Sequence, residues 1–446
     1  MRPTLPLALA CLLTPICVAD FIYVPSDVST IQGAIDAASD GDEIVIAPGL
    51  YRELLDLGAK QLTLRSTNPA DASVVAATII SADLNDDGIG EGTALRCVGA
   101  QGPETLIDGL TIRDGRASLV GGGLLVSDSS PTIRRCVLEH NDGAEYGGAI
   151  ALLNSGAHIE RCMIRDNAAT RGAGVYATES LATIDACTIV SNTAVAGAGL
   201  YTSLGSPTIT NSRLTGNSTL GGFGGGGIFV ASGGIHASGC TLADNAAPFL
   251  AGADLHLFTN DPGVQIVNCV LWSPPFAVAD ASHVASLSAS IVGGGNFAAD
   301  VQLSDPHFVD ADGADNDPTT QDDNDYHLAP GSPGIDAGDS PAHAALTAST
   351  LDLDGSPRFV DDPATPDTGV PLASGVIDIG AYEFAVGACS VADLADPLGQ
   401  LDFSDVVAFL VAFASLDPSA DLAAPIGQWD FSDVVAFLVA FDAGCP

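Results

Sequence analysis

Between residues 119 and 271 the apolar positions recur in a fixed order. Glycine or alanine is followed by Leu, Ile or Val, then come about nine residues, then Ile-x-x-Cys-x-Ile/Leu-x-x-Asn. The period is 25 to 29 residues. In register, the sulfur position holds Cys136, Cys162, Cys187, Ser212, Cys240 and Cys269, and the apolar position after the glycines holds Leu124, Ile150, Val175, Leu200, Ile228 and Leu255. Asn141, Asn167, Asn192, Asn217 and Asn245 stand five places after the sulfur position, and the sixth unit lacks the Asn. Within a unit, Thr132-Ile133-Arg134-Arg135-Cys136-Val137-Leu138 alternates as short half-buried strands do. A unit of this length cannot bury its own apolar residues, so its neighbours must stack on it, which predicts a solenoid with glycines at its corners. Stacking at about 4.8 Å makes an interior cysteine column and an asparagine ladder. The ladder amides then bond the turn backbone and one another.

Outward positions read as coil-to-coil contacts. Arg134 is expected above Glu160, Arg161 above Asp185 and Glu139 above Arg165, as exposed ion pairs contributing about 0.2–1 kcal/mol each. His140 and Asp166 share a column, either as a surface contact or as an acid–base dyad. Tyr176, Tyr201 and Phe229 each follow the aligned apolar position by one residue and so form an outward stack, to which the central coils add Tyr146. Such a stack serves as a stabilising ladder, as a polysaccharide-binding strip, or as both.

The pattern changes near the end of the chain. Residues 393–413 recur at 421–441, a spacing of 28, each copy a Gly/Pro loop followed by helical periodicity. Val406, Phe409, Leu410 and Phe413 fall on one face of the first helix, and Val434, Phe437, Leu438 and Phe441 on one face of the second, so the two are expected to pair. The resulting core is thin. A disulfide between Cys389 and Cys445, which flank the duplication, would tie its ends together. The repeated cysteines upstream instead read as small buried hydrophobes.

Fifty glycines, two methionines and few aromatics fit short strands and tight turns. Arg2, the apolar stretch Leu5 to Val18 and the small residues before Asp20 read as a signal peptide over 1–19, predicting a secreted, extracellular or surface-associated protein. No later stretch is long and apolar enough to span a membrane. A net charge of −41 argues against nucleic acid or anionic membranes as partners and favours divalent cations. Asp83-x-Asn85-x-Asp87-Gly88 with Glu91, and Asp310-x-Asp312-Gly313-x-Asp315, offer the alternating oxygens of calcium loops; solvated acidic turns are the alternative.

Two resemblances extend this reading. Ser29 to Ala38 followed by Gly41 to Tyr51 is similar to the N-terminal cap and first coil of the pectin-lyase-like superfamily, and Ile31, Ala34, Ile35 and Ala38 lie on one helical face suited to covering an open end. Residues 331–338, 352–358 and 377–383 resemble the closing region of bacterial β-helix proteins. The resemblance implies a right-handed single-stranded parallel β-helix over 20–385 with an N-terminal capping helix, its closing region acting as a C-terminal cap ending near Phe384. Residues 386–446, ending Gly444-Cys445-Pro446, resemble a bacterial GC-type dockerin. That resemblance implies docking onto a cohesin-like module or cell-surface component, with calcium held by Asp393, Asp402 and Asp405 and by Asp421, Asp430 and Asp433. Each loop departs from the family pattern, with Ala395 and Pro397, or Ala423 and Pro425, where oxygen ligands normally stand.

The superfamily includes pectate lyases and polygalacturonases, yet their ordered catalytic segments are not found in this sequence, and the one lysine is Lys60. The expectation is therefore a secreted protein that docks by its tail and binds extracellular polysaccharide. A polysaccharide lyase or glycoside hydrolase acting on pectin-like or other acidic glycans is the alternative.

Overall fold

Each repeat contributes three short strands, and each strand pairs in parallel with its counterpart one repeat further on. A computed structural model describes residues 20–384, apart from 222, 249–251, 259–262, 274–276, 280–285, 294–300, 314–320, 322–323, 344–345 and 348, together with 403–415, 420 and 434–438. Sheet A stacks eleven strands from Phe21–Val24 to Ser286–Ser288, sheet B eleven from Gly49–Arg52 to Val301–Gln302, and sheet C nine from Leu55–Asp56 to Val278–Ala279. Like residues lie on like. Ile133, Ile159, Ile184 and Ile209 form the inner column of sheet A, Leu138, Ile164, Ile189 and Leu214 that of sheet B, and Leu124, Ile150, Val175, Leu200 and Ile228 that of sheet C. The three columns merge into one continuous core.

Single residues in the left-handed region turn the corners. Between sheets A and B these are Arg135, Arg161, Ala186 and Asn211, with φ of 52°, 51°, 48° and 46°. Such a conformation costs a side-chain-bearing residue about 1–2 kcal/mol. The cysteine column stands there, pointing inward, with Cys136 Sγ 3.3 Å from the Arg134 carbonyl and the Cys162 N–H donating to Cys187 Sγ at 3.4 Å. All six cysteines among the described residues are free thiols.

Between sheets B and C the corner residues His140, Asp166 and Ser191 again have positive φ, and the asparagine ladder follows. Asn141 Nδ2 donates to Asn167 Oδ1 at 3.0 Å, Asn167 to Asn192 at 2.9 Å, Asn192 to Asn217 at 3.0 Å and Asn217 to Asn245 at 3.1 Å. Each Oδ1 also accepts the backbone N–H of the preceding ladder residue. In the sixth unit Ser273 Oγ takes over that acceptor role for Asn245 N–H, at 2.9 Å.

The ion pairs depart from simple column stacking. Arg134 and Arg135 both turn back one coil to the buried Asp108, at 2.9 and 2.6 Å, although Arg134 lies in register with Glu160. Glu160 is in register with Asp185, so Arg161 does not stand above Asp185; its guanidinium lies 3.7 Å from Glu160. A buried carboxylate gains more from paired guanidinium groups than an exposed one does, which is why Asp108 collects both. Arg165 and Glu139 pair as expected, at 2.6 Å.

Helix α1 (Ile31–Ala37) buries Ile31, Ala34 and Ile35, with Thr30 as N-cap. Glu53 accepts the Ile31 and Gln32 N–H groups, and Lys60 Nζ donates to the carbonyls of Ile35 and Asp36 at 2.7 and 2.8 Å. The lone lysine is thus committed to the end of a helix. A second helix, α2 (Ala72–Ala77), starts at the N-cap Asp71.

The described residues of 305–384 pack along the outside of sheet B, where the sequence suggests a terminal cap. The outward positions of the late coils explain this. Where earlier coils carry Glu139 and Arg165, the later ones carry Ala243 and Trp272, and Val270 and Ile291 are outward and apolar as well. Ala337 and Ile379 cover Val270 and Ile291, and Tyr326, Ala381 and Tyr382 cover Ala243. The Asn268 side chain clasps the Asp339 backbone through both its oxygen and its nitrogen, at 2.7 and 2.9 Å. Within the segment the fully buried Arg358 donates to the carbonyls of Gly380 and Asp378, at 3.0 and 3.1 Å, beside Glu383.

In the duplicated tail, helix α3 (Phe403–Ser415) meets the turn of helix at 434–438. Phe409 stacks on Phe437 with ring centroids 4.2 Å apart, and Ala420 completes the small core. The expected pairing face is thereby narrowed, since Leu410 and Leu438 are exposed at 55 % and 54 %.

Candidate functional site

Sheet C sets one outward residue of each coil in register with the next, and from Ala151 these are Tyr176, Tyr201, Phe229 and His256. Their rings form a continuous stack. Centroids are 5.4 Å apart from Tyr176 to Tyr201, 5.3 Å from Tyr201 to Phe229 and 4.9 Å from Phe229 to His256, and Tyr146, from the preceding turn, joins Tyr176 at 4.9 Å. The turn before each strand closes tightly against this stack. At Gly197, with φ of 59°, a Cβ would meet the Tyr201 and Phe229 Cβ atoms at 2.9 and 3.0 Å, so only glycine fits.

Arg171 lies over the Tyr146 ring, 5.3 Å from its centroid, and donates to the Tyr146 hydroxyl at 3.1 Å. With Thr170, Val195, Tyr201, Phe223 and Phe258 it borders a cleft of about 310 Å³. Phe229 itself is only 4 % exposed, whereas Phe223 and Phe258 are exposed at 57 % and 69 %. The two rings that meet solvent at this end are therefore ones the repeat alignment does not single out. Phe258 was legible as the residue two places after outward His256. Burial raises the Tyr201 phenol above its ordinary value, so it acts as a neutral hydrogen-bonding group.

A second, polar cleft of about 470 Å³ lies at the corner between sheets B and C, lined by Arg52, Asp83, Asp86, Arg113, Arg116, His140 and Asp142 among others. It contains the first acidic loop, closed on itself. Asp83 accepts the N–H groups of Asp87 and Gly88, each at 3.1 Å, Asn85 Oδ1 accepts Asp87 N–H at 3.1 Å, and Glu91 accepts Leu84 N–H at 2.7 Å. Arg52 pairs with Asp83 and Asp86. Burial opposes ionisation of Asp83, but the Gly88 and Asp87 N–H groups and Arg52 outweigh it and hold its carboxyl below the usual range. Asp83, Asp87 and Glu91 each bring an oxygen within 4.8 Å of the others, a spread that a calcium shell spans. His140 faces this cleft, and no hydrogen bond joins it to Asp166.

Residues 93–271 match the family model described as a right handed beta helix region. The solenoid is a right-handed parallel β-helix. No curated protein matches the chain. Among solved structures, the chain is similar to pectate lyase Pel9A, at 14 % identity over 83 % of this chain and 97 % of that one, with a TM-score of 0.49. It is also similar to a pectin methylesterase from Aspergillus niger, at 17 % identity over 63 % and 91 % with a TM-score of 0.38, and to pectin methylesterase PemA from Erwinia chrysanthemi, at 15 % identity over 64 % and 92 % with a TM-score of 0.34.

Of the remaining sequence-derived metal ligands, Asp310, Asp312 and Asp405 lie among the described residues. Asp310 ends the strand Phe308–Asp310, which pairs antiparallel with Asp325–Leu328, and Asp312 follows in the turn. Burial, with a smaller contribution from Asp312, raises the Asp244 carboxyl, which accepts from Tyr326 at 2.8 Å. Asp315 lies outside the described residues, as do Asp393, Asp402, Asp421, Asp430 and Asp433, both Cys389 and Cys445, and the leader 1–19. Asp405 falls in the first turn of α3, its side chain outside the described atoms. No helix among the described residues is long and apolar enough to cross a membrane.

Proposed function

We propose that this chain is an exported polysaccharide-binding protein that grips an extended glycan along the ring stack of sheet C and attaches through its duplicated tail to a cohesin-type or cell-surface partner. The ring stack carries the reading. Tyr146, Tyr176 and Tyr201 lead through Phe229 to exposed Phe258, and exposed Phe223 borders the same cleft. Such a row offers flat apolar faces to sugar C–H groups, with phenol hydroxyls and Arg171 at the edge for hydroxyl or carboxylate groups. In the tail, α3 leaves Val407, Leu410 and Val411 exposed and the second helix leaves Val435 and Leu438 exposed. The duplication thus presents two similar apolar surfaces, suited to docking. Helix α1 serves as the N-terminal cap, and calcium is the ion assigned to the Asp83 loop and to the tail loops.

Affinity electrophoresis of the whole protein through a panel of neutral and anionic polysaccharides tests the glycan reading. Retardation by at least one glycan, weakened at least tenfold by Tyr201→Ala with Phe258→Ala, is expected. No retardation by any, or retardation indifferent to the two rings, sinks it.

The polar cleft favours a second reading, in which the chain cleaves a glycan. His140, three arginines and several carboxylates meet there, and the turn 140–146 carries His140 and Asp142 on the cleft and Tyr146 at the head of the ring stack. Release of unsaturated or reducing ends from a glycan in the panel would establish an enzyme. Binding without release would leave the first reading.

A further inference from the structure

The segment that covers sheet B contains a second cluster of carboxylates, unrelated to any loop periodicity. Asp336 comes from one stretch of chain and Asp361 and Asp367 from another, and one oxygen from each of the three lies within 4.8 Å of the others. Backbone bonds build the arrangement. The N–H groups of Thr368 and Gly369 both donate to the Asp336 carbonyl, at 2.9 and 3.1 Å, and Ser340 N–H donates to the Val370 carbonyl at 2.9 Å, folding the 358–370 loop over the 335–340 stretch.

Asp336 is 1 % exposed. Its Oδ2 accepts the Asp362 N–H at 3.2 Å, but its Oδ1 is buried without a hydrogen-bond partner. A buried carboxylate oxygen with no donor is costly, and here its neighbours are two further carboxylates. The Asp336 N–H donates to Asp378 Oδ1 at 2.7 Å, and Asp378 is itself buried. The one buried cation of the segment, Arg358, is spent on the carbonyls of Gly380 and Asp378 and on Glu383.

We infer that Asp336, Asp361 and Asp367 form a calcium site that pins the 358–370 loop to the segment covering sheet B. The donors are all hard oxygens. Calcium bonds of 2.3–2.6 Å admit ligand oxygens up to about 5 Å apart, and calcium accepts the irregular shells that magnesium, which demands near-octahedral geometry, does not. Exposed Asp361 and Asp367 open the site to solvent, and water completes the shell.

The test uses the full chain, stripped of metal and titrated with calcium in a calorimeter, beside Asp361→Asn with Asp367→Asn. Both substitutions are at exposed positions. The expected result is one equivalent of calcium fewer in the variant, together with a smaller calcium-induced rise in melting temperature. An unchanged stoichiometry would overturn the site, whatever the other acidic loops bind. Hydrogen exchange on the unaltered protein gives an independent reading. Amides of 361–369 should slow at saturating calcium and not at equal magnesium; indifference to calcium there would equally overturn it.

Discussion

Asn245 Nδ2 donates to Asp254 Oδ1 at 2.8 Å, so the asparagine ladder ends on a buried carboxyl group. Ser273 Oγ donates to the same oxygen at 2.6 Å, while Asp254 Oδ2 has no partner. Burial dominates these bonds and raises the group to about 8 from an ordinary 3.8. Asp254 is therefore protonated at neutral pH. An acid whose pKa is raised by folding contributes its full stability below the unfolded value and loses it as pH climbs through the folded one, at about 1.4 kcal/mol per pH unit. The window here runs from 3.8 to about 8. Asp254→Asn keeps the accepting oxygen and cannot ionise. Its melting temperature should match the parent near pH 4 and exceed it increasingly towards pH 8; a constant offset across that range would show that Asp254 does not titrate in the window.

Within the ladder, Asn192 Nδ2 donates to Asn217 and to the Ile164 and Val190 carbonyls, and its Oδ1 accepts from Asn167. Asn192→Ala orphans several buried groups at once and should cost on the order of 3 kcal/mol. Urea unfolding measures it. A loss below about 0.5 kcal/mol, as expected of a surface residue, would show that water replaces the amide.

The buried thiols should be chemically silent. Burial raises Cys97 to about 12 and lifts Cys136, Cys162 and Cys240 well above the ordinary thiol range. Thiolate is the reactive form, so iodoacetamide at pH 8 should leave all four unmodified in the folded chain and label them after denaturation. Modification of any of them at the rate of an exposed thiol would contradict the packing.

Among the described residues of the tail, the small core centres on the Phe409–Phe437 pair. Removing a buried Phe typically costs about 3–5 kcal/mol, more than a core this small supplies. Phe409→Ala should abolish hydrogen-exchange protection in 403–415 without altering the melting of the β-helix. Leu410→Ser, at an exposed position, should leave that protection intact while weakening capture by the proposed cohesin-type or cell-surface partner.

The columns were legible in the sequence because stacking repeats one short motif. Ile184, Cys187 and Asn192 recur at fixed spacing, and a fixed spacing in a solenoid is a fixed position in space. Where the closing segment packs was not legible. Asn211 meets His343, and Thr241 meets Ala381, across 132 and 140 residues, and no periodicity links them. Asp336 has the same history, since its partners Asp361 and Asp367 come from another stretch of chain. Arg134 misled because register fixes where a side chain starts, while a flexible guanidinium chooses the better-buried carboxylate one coil back. Phe229 misled in the opposite sense: its outward direction was right, but the rings stacked around it, Tyr201, His256 and Phe258, leave it buried.

The return of residues 305–384 along the flank sets how the molecule bears load. Ala381 is tied to Thr241 and Gly380 to Asn268, so the chain departs at Phe384 from beside these coils and not from the last one. Tension applied through the tail would arrive sideways, as shear across many bonds and the apolar cover of sheet B acting in parallel. The terminal coils would not be unzipped in turn, and an anchored molecule of this design would hold its ring-bearing face intact while being pulled.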